Sequence, residues 1–350
     1  MLSLPPFRAV LRLAVPTSTV MVLGATTGVA HTYFVSRLGA DGIAAVSLVF
    51  PINLIMMTLM GGGVGAGVSA AIAQSLGAGR TESADSVASH ALWITAALAL
   101  SLTVMLVVGA PALFRWMGAN GEVLAGAVVF SRVLFGGAII TFTVSTLDSI
   151  FRGEGNVRIP SICATISLLL QIVFTPLFMF TLGLGLAGAA AATLAGQLLG
   201  AIPRLRFLMS GAAAVRPWPL PLRPRLQPIT HILRVGVPAS LATLANYLGL
   251  LLLTTVVARY GTSEIAAFGL GTRLDFLVIT LAFGVGSAVL TLVGLASGAG
   301  DHHRVHEIVR CGVRLVLSLL AVVTVVLVWR PGIWLGIFTV DPEIYAVGSR

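Results

Sequence analysis

Long stretches without a single charged residue constrain this chain more than any other feature. They run over 13–36, 42–79, 86–114, 159–203, 235–258 and 276–300. A bilayer-spanning helix needs about 20 apolar residues. The 159–203 run is too long for one helix and divides at Thr181–Gly188 ("TLGLGLAG"), where glycines favour a tight turn. Three spans tolerate charge: about 123–148 (Arg132), 264–296 (Arg273, Asp275) and 307–330 (Arg310, Arg314). The pattern predicts nine helices of an all-α polytopic membrane protein, and no alternation suggests a barrel. Composition agrees. Only 9% of residues are charged, against about 25% in soluble domains, so the chain cannot cover itself in water. The first apolar run lacks a cleavage site, so it is read as a helix and not a signal peptide. Cys163 and Cys311 fall in apolar segments and read as small core residues.

The net charge of +9 comes from arginines in the connections, so no nucleic-acid partner is needed to explain it. One set of connections holds Arg8, Arg12, Arg80, Arg152, Arg158, Arg204, Arg206, Arg216, Arg223, Arg225 and Arg304; the opposite set holds mainly Arg37, Arg115, Arg259 and Arg330. The positive-inside rule then places the N-terminus in the cytoplasm of a bacterial inner membrane. The Pro- and Arg-rich stretch Arg216–Pro228 reads as an extended cytoplasmic linker.

The chain also repeats itself. "LRLAVPTS" at Leu11 returns as "LRVGVPAS" at Leu233, and an ungapped comparison of 11–46 with 233–268 gives 12 identities in 36. These include Pro16/Pro238, Arg37/Arg259 and Gly39/Gly261; further on, "GVG" at 63–65 matches 284–286 and "GAG" at 77–79 matches 298–300. Six helices separate the two starts, so the copies are parallel repeats, a common transporter plan. The expected organisation is a six-helix lobe over 1–210, a linker over 211–230 and the first three helices of a second lobe over 231–350. On this register the counterpart of 130–221 lies beyond Arg350, and a fragment is expected.

Several segments carry a resemblance: "VAHTYFVSRLGADGIAAVSLVFP", "GAGVSAAIAQSLGAGR", "FRGEGNVRIP" and "TPLFMFTLGLGLAGAAAAT". In this order they resemble the multidrug and toxic compound extrusion (MATE) family. The resemblance implies two six-helix lobes and antiport of drugs or organic cationic or amphiphilic compounds by alternating access. It also exposes departures. Where many members have an Asp late in helix 1 this chain has His31. Where many have an Asp before the helix 5 proline it has Thr175. Where the sodium-coupled branch often has a Glu it has Asn246.

Of twelve acids, only Asp148 and Asp275 fall inside spans. A charge at mid-bilayer costs at least about 2.5–3.5 kcal/mol, which favours a functional reading. Asp275 is expected to bind the coupling proton or cation; its rival role is a partner for an arginine on another helix. His31 is a second coupling candidate, set against a simply packed histidine. Asp148 and Arg152, four apart, can form a structural ion pair. Arg273, Asn246, Tyr247, Asn53, Gln171 and Thr175 are candidates for the substrate cavity, and the uncharged ones serve equally as interhelical hydrogen-bond residues. The glycine run Gly61–Gly67 lacks the strand and acidic partner of a nucleotide site and suits close helix packing. His302 and His306 have a metal-compatible spacing without a supporting ligand cluster, so no metal or organic cofactor is expected. The coupling ion is H+ or Na+. The partners are a small-molecule substrate and the lipid bilayer, with one chain per transporter. A lipid or lipid-linked glycan flippase is the alternative, and it calls for more cationic residues in the lumen. A membrane enzyme lacks support because neither H-E-x-x-H nor G-x-S-x-G occurs.

Overall fold

The computed structural model describes residues 4–217, 225–257 and 262–330; within these, the side chains of 40, 250–252, 254, 255, 257, 262–277, 280 and 281 lie outside the description. Eleven α-helices account for almost all of it: α1 (Pro6–Ser36), α2 (Ala40–Thr58), α3 (Gly65–Gly77), α4 (Thr81–Trp116), α5 (Gly121–Gly136), α6 (Ala138–Gly153), α7 (Arg158–Pro176), α8 (Gly185–Met209), α9 (Leu226–Val257), α10 (Thr262–Gly298) and α11 (His302–Trp329). Among the described residues, six helical segments are long and apolar enough to cross a membrane. The pair α5–α6, expected as one straight span, bends by 47° at Gly137. Thr103 of α4 donates to the Phe135 carbonyl at that break, at 2.8 Å, which compensates a kink in the helix ladder.

Two spans continue through π-helical turns. At Leu59–Val64 the Gly65 N–H reaches back five residues to the Met60 carbonyl. At Leu177–Thr181 the Leu182 N–H does the same to Leu177. The first turn joins α2 to α3 and packs on α9. Such bulges concentrate at functional sites.

The packing inverts that of a soluble protein in one respect. Large apolar side chains face outward, Val29 at 71% and Val108 at 74% exposure, whereas the interior is rich in alanine (Ala45, Ala71, Ala88, Ala127, Ala189). Small residues allow the close helix approach that dispersion and hydrogen bonding need in lipid.

The sequence repeat reappears as a geometric one. Gly79 and Gly300 both adopt positive φ, +72° and +75°. Each ends its helix with the same bonds: Ala78 N–H to Gln74 O and Ala299 N–H to Leu295 O, both at 3.1 Å, then Arg80 N–H to Ser75 O and Asp301 N–H to Ala296 O. Left-handed glycine caps satisfy the last helical carbonyls in this way. The two copies also meet reciprocally. A methyl group on Gly77 would lie within 3 Å of the Leu295 carbonyl, and one on Gly298 within 3 Å of the Gln74 carbonyl. Gly63 abuts Ser240 and Gly284 abuts Ser18 in the same exchanged fashion. Through these contacts α3 packs against α9 and α10, and α1 against α10. This is the seam between α1–α8 and α9–α11, and the Gly77–Leu295 and Gly298–Gln74 contacts join the two groups near its arginine-rich end.

Candidate functional site

Three groupings bring together residues singled out from the sequence. The first is a polar string inside the N-terminal helices. Thr175, buried in α7, donates to the Gln171 carbonyl at 2.7 Å. The Gln171 amide donates to Thr193 Oγ1 of α8 at 3.0 Å, and Thr193 donates to the Ala189 carbonyl at 3.2 Å. The Ala189 backbone also neighbours His31 of α1. His31 packs edge-on against Phe130, with ring centroids 6.1 Å apart. Its Nε2 is buried without a hydrogen-bond partner among the described residues. An orphaned buried nitrogen is costly and calls for an explanation.

The second grouping corrects an expectation. The direct ion pair of Asp148 is with Arg204 of α8, while Arg152 acts on its carboxylate through charge without a bond. The Asp148 carboxylate accepts from Arg204 Nε at 2.6 Å and Nη2 at 3.3 Å. Arg204 also donates to the carbonyls of Gly200 (2.7 Å) and Pro160 (3.2 Å) and is only 1% exposed. Arg204 lies just past the 159–203 apolar run and was counted with the loop arginines, but α8 continues to Met209 and carries it inside. No local pattern marks this pair, since 56 residues separate the partners. Arg152 instead donates to Ser149 Oγ at 2.8 Å. It lines a 130 Å³ cavity at the seam with Gly61, Gly65, Ser69, Phe283 and Ser287.

The third grouping crosses the seam deeper in the molecule. Tyr247 Oη and Thr58 Oγ1 lie 3.2 Å apart. Asn246 is exposed and Asn53 is half-buried. Arg273 and Asp275 fall on α10, where their side chains lie outside the described residues.

This helical plan has clear relatives. The sequence profile of the MatE family matches residues 16–177 and 238–350. The chain belongs to the MATE family. It is a multi-pass membrane transporter of small molecules and not an enzyme. The FAD transporter of Shewanella oneidensis is 27% identical, over 98% of this chain and 77% of that protein. The multidrug export protein MepA of Staphylococcus aureus is 25% identical, over 99% of this chain and 76% of that protein. A MATE transporter of the MOP superfamily solved in an outward-facing conformation superposes with a TM-score of 0.91 at 28% identity, covering 99% of this chain and 78% of that one.

In this MATE transporter a further set of polar residues, unmarked in the sequence, anchors the linker. Asp85 accepts from the Arg216 N–H at 2.6 Å, and Ser89 donates to the Pro217 carbonyl at 2.7 Å. His90 Nε2 accepts from the Arg225 N–H at 2.8 Å, and Glu154 Oε1 accepts from the Val215 N–H at 3.0 Å. All four contacts join elements far apart in the chain, so spacing could not reveal them. Burial pushes the Glu154 carboxyl up to about 7, against the Val215 and Ala214 backbone donors and with the help of Asp85. Between its ordinary value of 4.5 and about 7, folded Glu154 holds a proton that the unfolded chain has released. Raising the pH through that window therefore lowers stability. Thermal unfolding between pH 5 and 8 should show this loss, and Glu154→Gln, which keeps the acceptor oxygen, should flatten it. An unchanged slope in the variant would exclude Glu154 as its source.

Proposed function

We propose that this MATE transporter exports drugs or amphiphilic organic compounds by alternating access, driven by H+ or Na+ antiport across a bacterial inner membrane. The observation that carries this reading is the reciprocal glycine seam. Two related helix groups closed by small-residue contacts at one end have the construction that a rocking transporter needs. The arginine-rich end is assigned to the cytoplasm, with the N-terminus on that side, in keeping with the positive-inside rule. Residues 1–210 and 231–350 form the two moving parts, and 211–230 joins them.

Asp275 is the coupling residue in this reading, because a mid-membrane carboxylate is costly unless used. His31, with its unpartnered Nε2 beside the Gln171–Thr193 string, is the second proton-accepting position. Everted vesicles carrying the full-length protein test both. Asp275→Asn should abolish uphill efflux of a cationic dye while membrane insertion stays normal; His31→Gln should weaken pH dependence. Unchanged pumping and pH dependence in Asp275→Asn would remove it from the mechanism.

A second reading concerns substrate charge. Arg152 lines the seam cavity, and the one carboxylate whose charge it feels, Asp148, is already bonded to Arg204, so positive charge is in excess there, which favours an anionic substrate. The FAD-transporting relative supports the same direction. Uptake of a flavin dinucleotide against a cationic dye, in the same vesicles, separates the two.

A further inference from the structure

At the arginine-rich end, the seam opens into a cavity of about 830 Å³ walled by both helix groups. Arg80 comes from the start of α4, Arg225 from the end of the linker and Arg234 from α9, with His231 between them and Glu82 as the one acid of the lining. None of the three arginines has an ion-pair partner among the described residues. The His231 side chain feels the charge of both Arg80 and Arg234. All three arginines are exposed to solvent along the cavity lining. These converge on a concave surface whose walls are held in place. His231 Nε2 bonds Gln74 Oε1 across the seam at 2.8 Å, and the Arg225 backbone is fixed by His90. Two helix N-termini, those of α4 and α9, begin at the same cavity, and that of α4 has no side-chain cap. Exposed N–H groups and the positive end of the helix dipole favour an anion there. Guanidinium groups add the fork geometry that matches phosphate oxygens.

We infer that this cavity binds a phosphate-bearing anion that bridges the two helix groups and holds this end of the seam closed. The ligand touches Arg80 on one group and Arg234 on the other, so it binds best when they are together. By linkage, it then favours the conformation described here. The chemistry fits the phosphodiester of an anionic lipid headgroup, which no choline cation neutralises, or a soluble phosphate equally, and the test separates these sources.

The full-length protein is placed in nanodiscs of phosphatidylcholine alone or with phosphatidylglycerol, and its thermal stability is measured with and without pyrophosphate. A rise with pyrophosphate in phosphatidylcholine discs identifies a soluble source. A rise confined to phosphatidylglycerol discs identifies the lipid. In either case Arg80→Gln/Arg234→Gln should weaken the response at least ~10-fold in apparent affinity, as expected when charge-assisted bonds are lost. Arg206→Gln, an exposed arginine on α8, should leave it intact. The double variant is at the surface, so its own melting without ligand shows that it folds. No stabilisation by either anion, or an equal response in the double variant, would overturn the assignment.

Discussion

Arg204→Met will lower the melting temperature of the detergent-purified transporter by about 5 °C. Arg204 is buried and gives hydrogen bonds to Asp148 and to two backbone carbonyls. Its loss leaves a carboxylate without its hydrogen-bonded counter-charge, with only Arg152 nearby, and two carbonyls without their side-chain donor. Removing one member of a buried pair typically costs ~3–5 kcal/mol, which for a chain of this size is a shift of the stated order. Asp148→Asn should cost less, because the guanidinium keeps its carbonyl partners. The double variant Asp148→Asn/Arg204→Met should be less damaged than the sum of the singles. An Arg204→Met protein that melts with the wild type would mean that the pair contributes nothing to stability.

Gly77→Leu will block transport without unfolding the helices. Gly77 presses on the Leu295 backbone with no room for a side chain. Overpacking of this kind costs about 1–3 kcal/mol, which corresponds to a ~5–150-fold shift of a two-state equilibrium. The shift disfavours the state closed at the arginine-rich end. Cysteines replacing Gln74 and His231, whose side chains meet across the seam, report it directly. Their cross-linking by a short bis-maleimide, which spans the length of the two side chains replaced, should fall by the same factor while uphill efflux fails. Wild-type efflux with undiminished cross-linking would show that this contact does not gate the cycle.

Much of the helical plan was legible in the sequence because lipid imposes a length and an apolarity that loops cannot imitate. The repeat was legible because proline, arginine and glycine resist chance alignment. The α5–α6 bend escaped: Gly136–Gly137 sits in an otherwise continuous apolar run, and only tertiary contact with Thr103 shows how the break is accommodated. The candidate site was legible in part. Gln171 and His31 both meet α8, at Thr193 and Ala189, and Thr175 bonds the Gln171 carbonyl within α7; family departures mark His31 and Thr175. For Asp148 the sequence offers Arg152, four residues away and within reach of its charge, but packing supplies the direct partner from another helix. Arg204 itself was hidden by its position at the margin of an apolar run. The linker anchors Asp85, His90 and Glu154 had no local signature at all, since each acts on backbone groups at least 61 residues distant.

The reciprocal contacts carry an evolutionary consequence. Gly77 meets residue 295 and Gly298 meets residue 74, while Gly63 meets Ser240 and Gly284 meets Ser18. These four donors of space pair off between the copies, whereas Gly67 and Gly294 face the other copy with alanines, Ala288 and Ala73, at their own counterpart positions. Such a surface is isologous, the kind that closes on itself in a two-fold dimer. A gene encoding one copy would already specify both faces of the joint. Duplication and fusion then need no new interface, only a tether, and leave each half free to acquire features of its own.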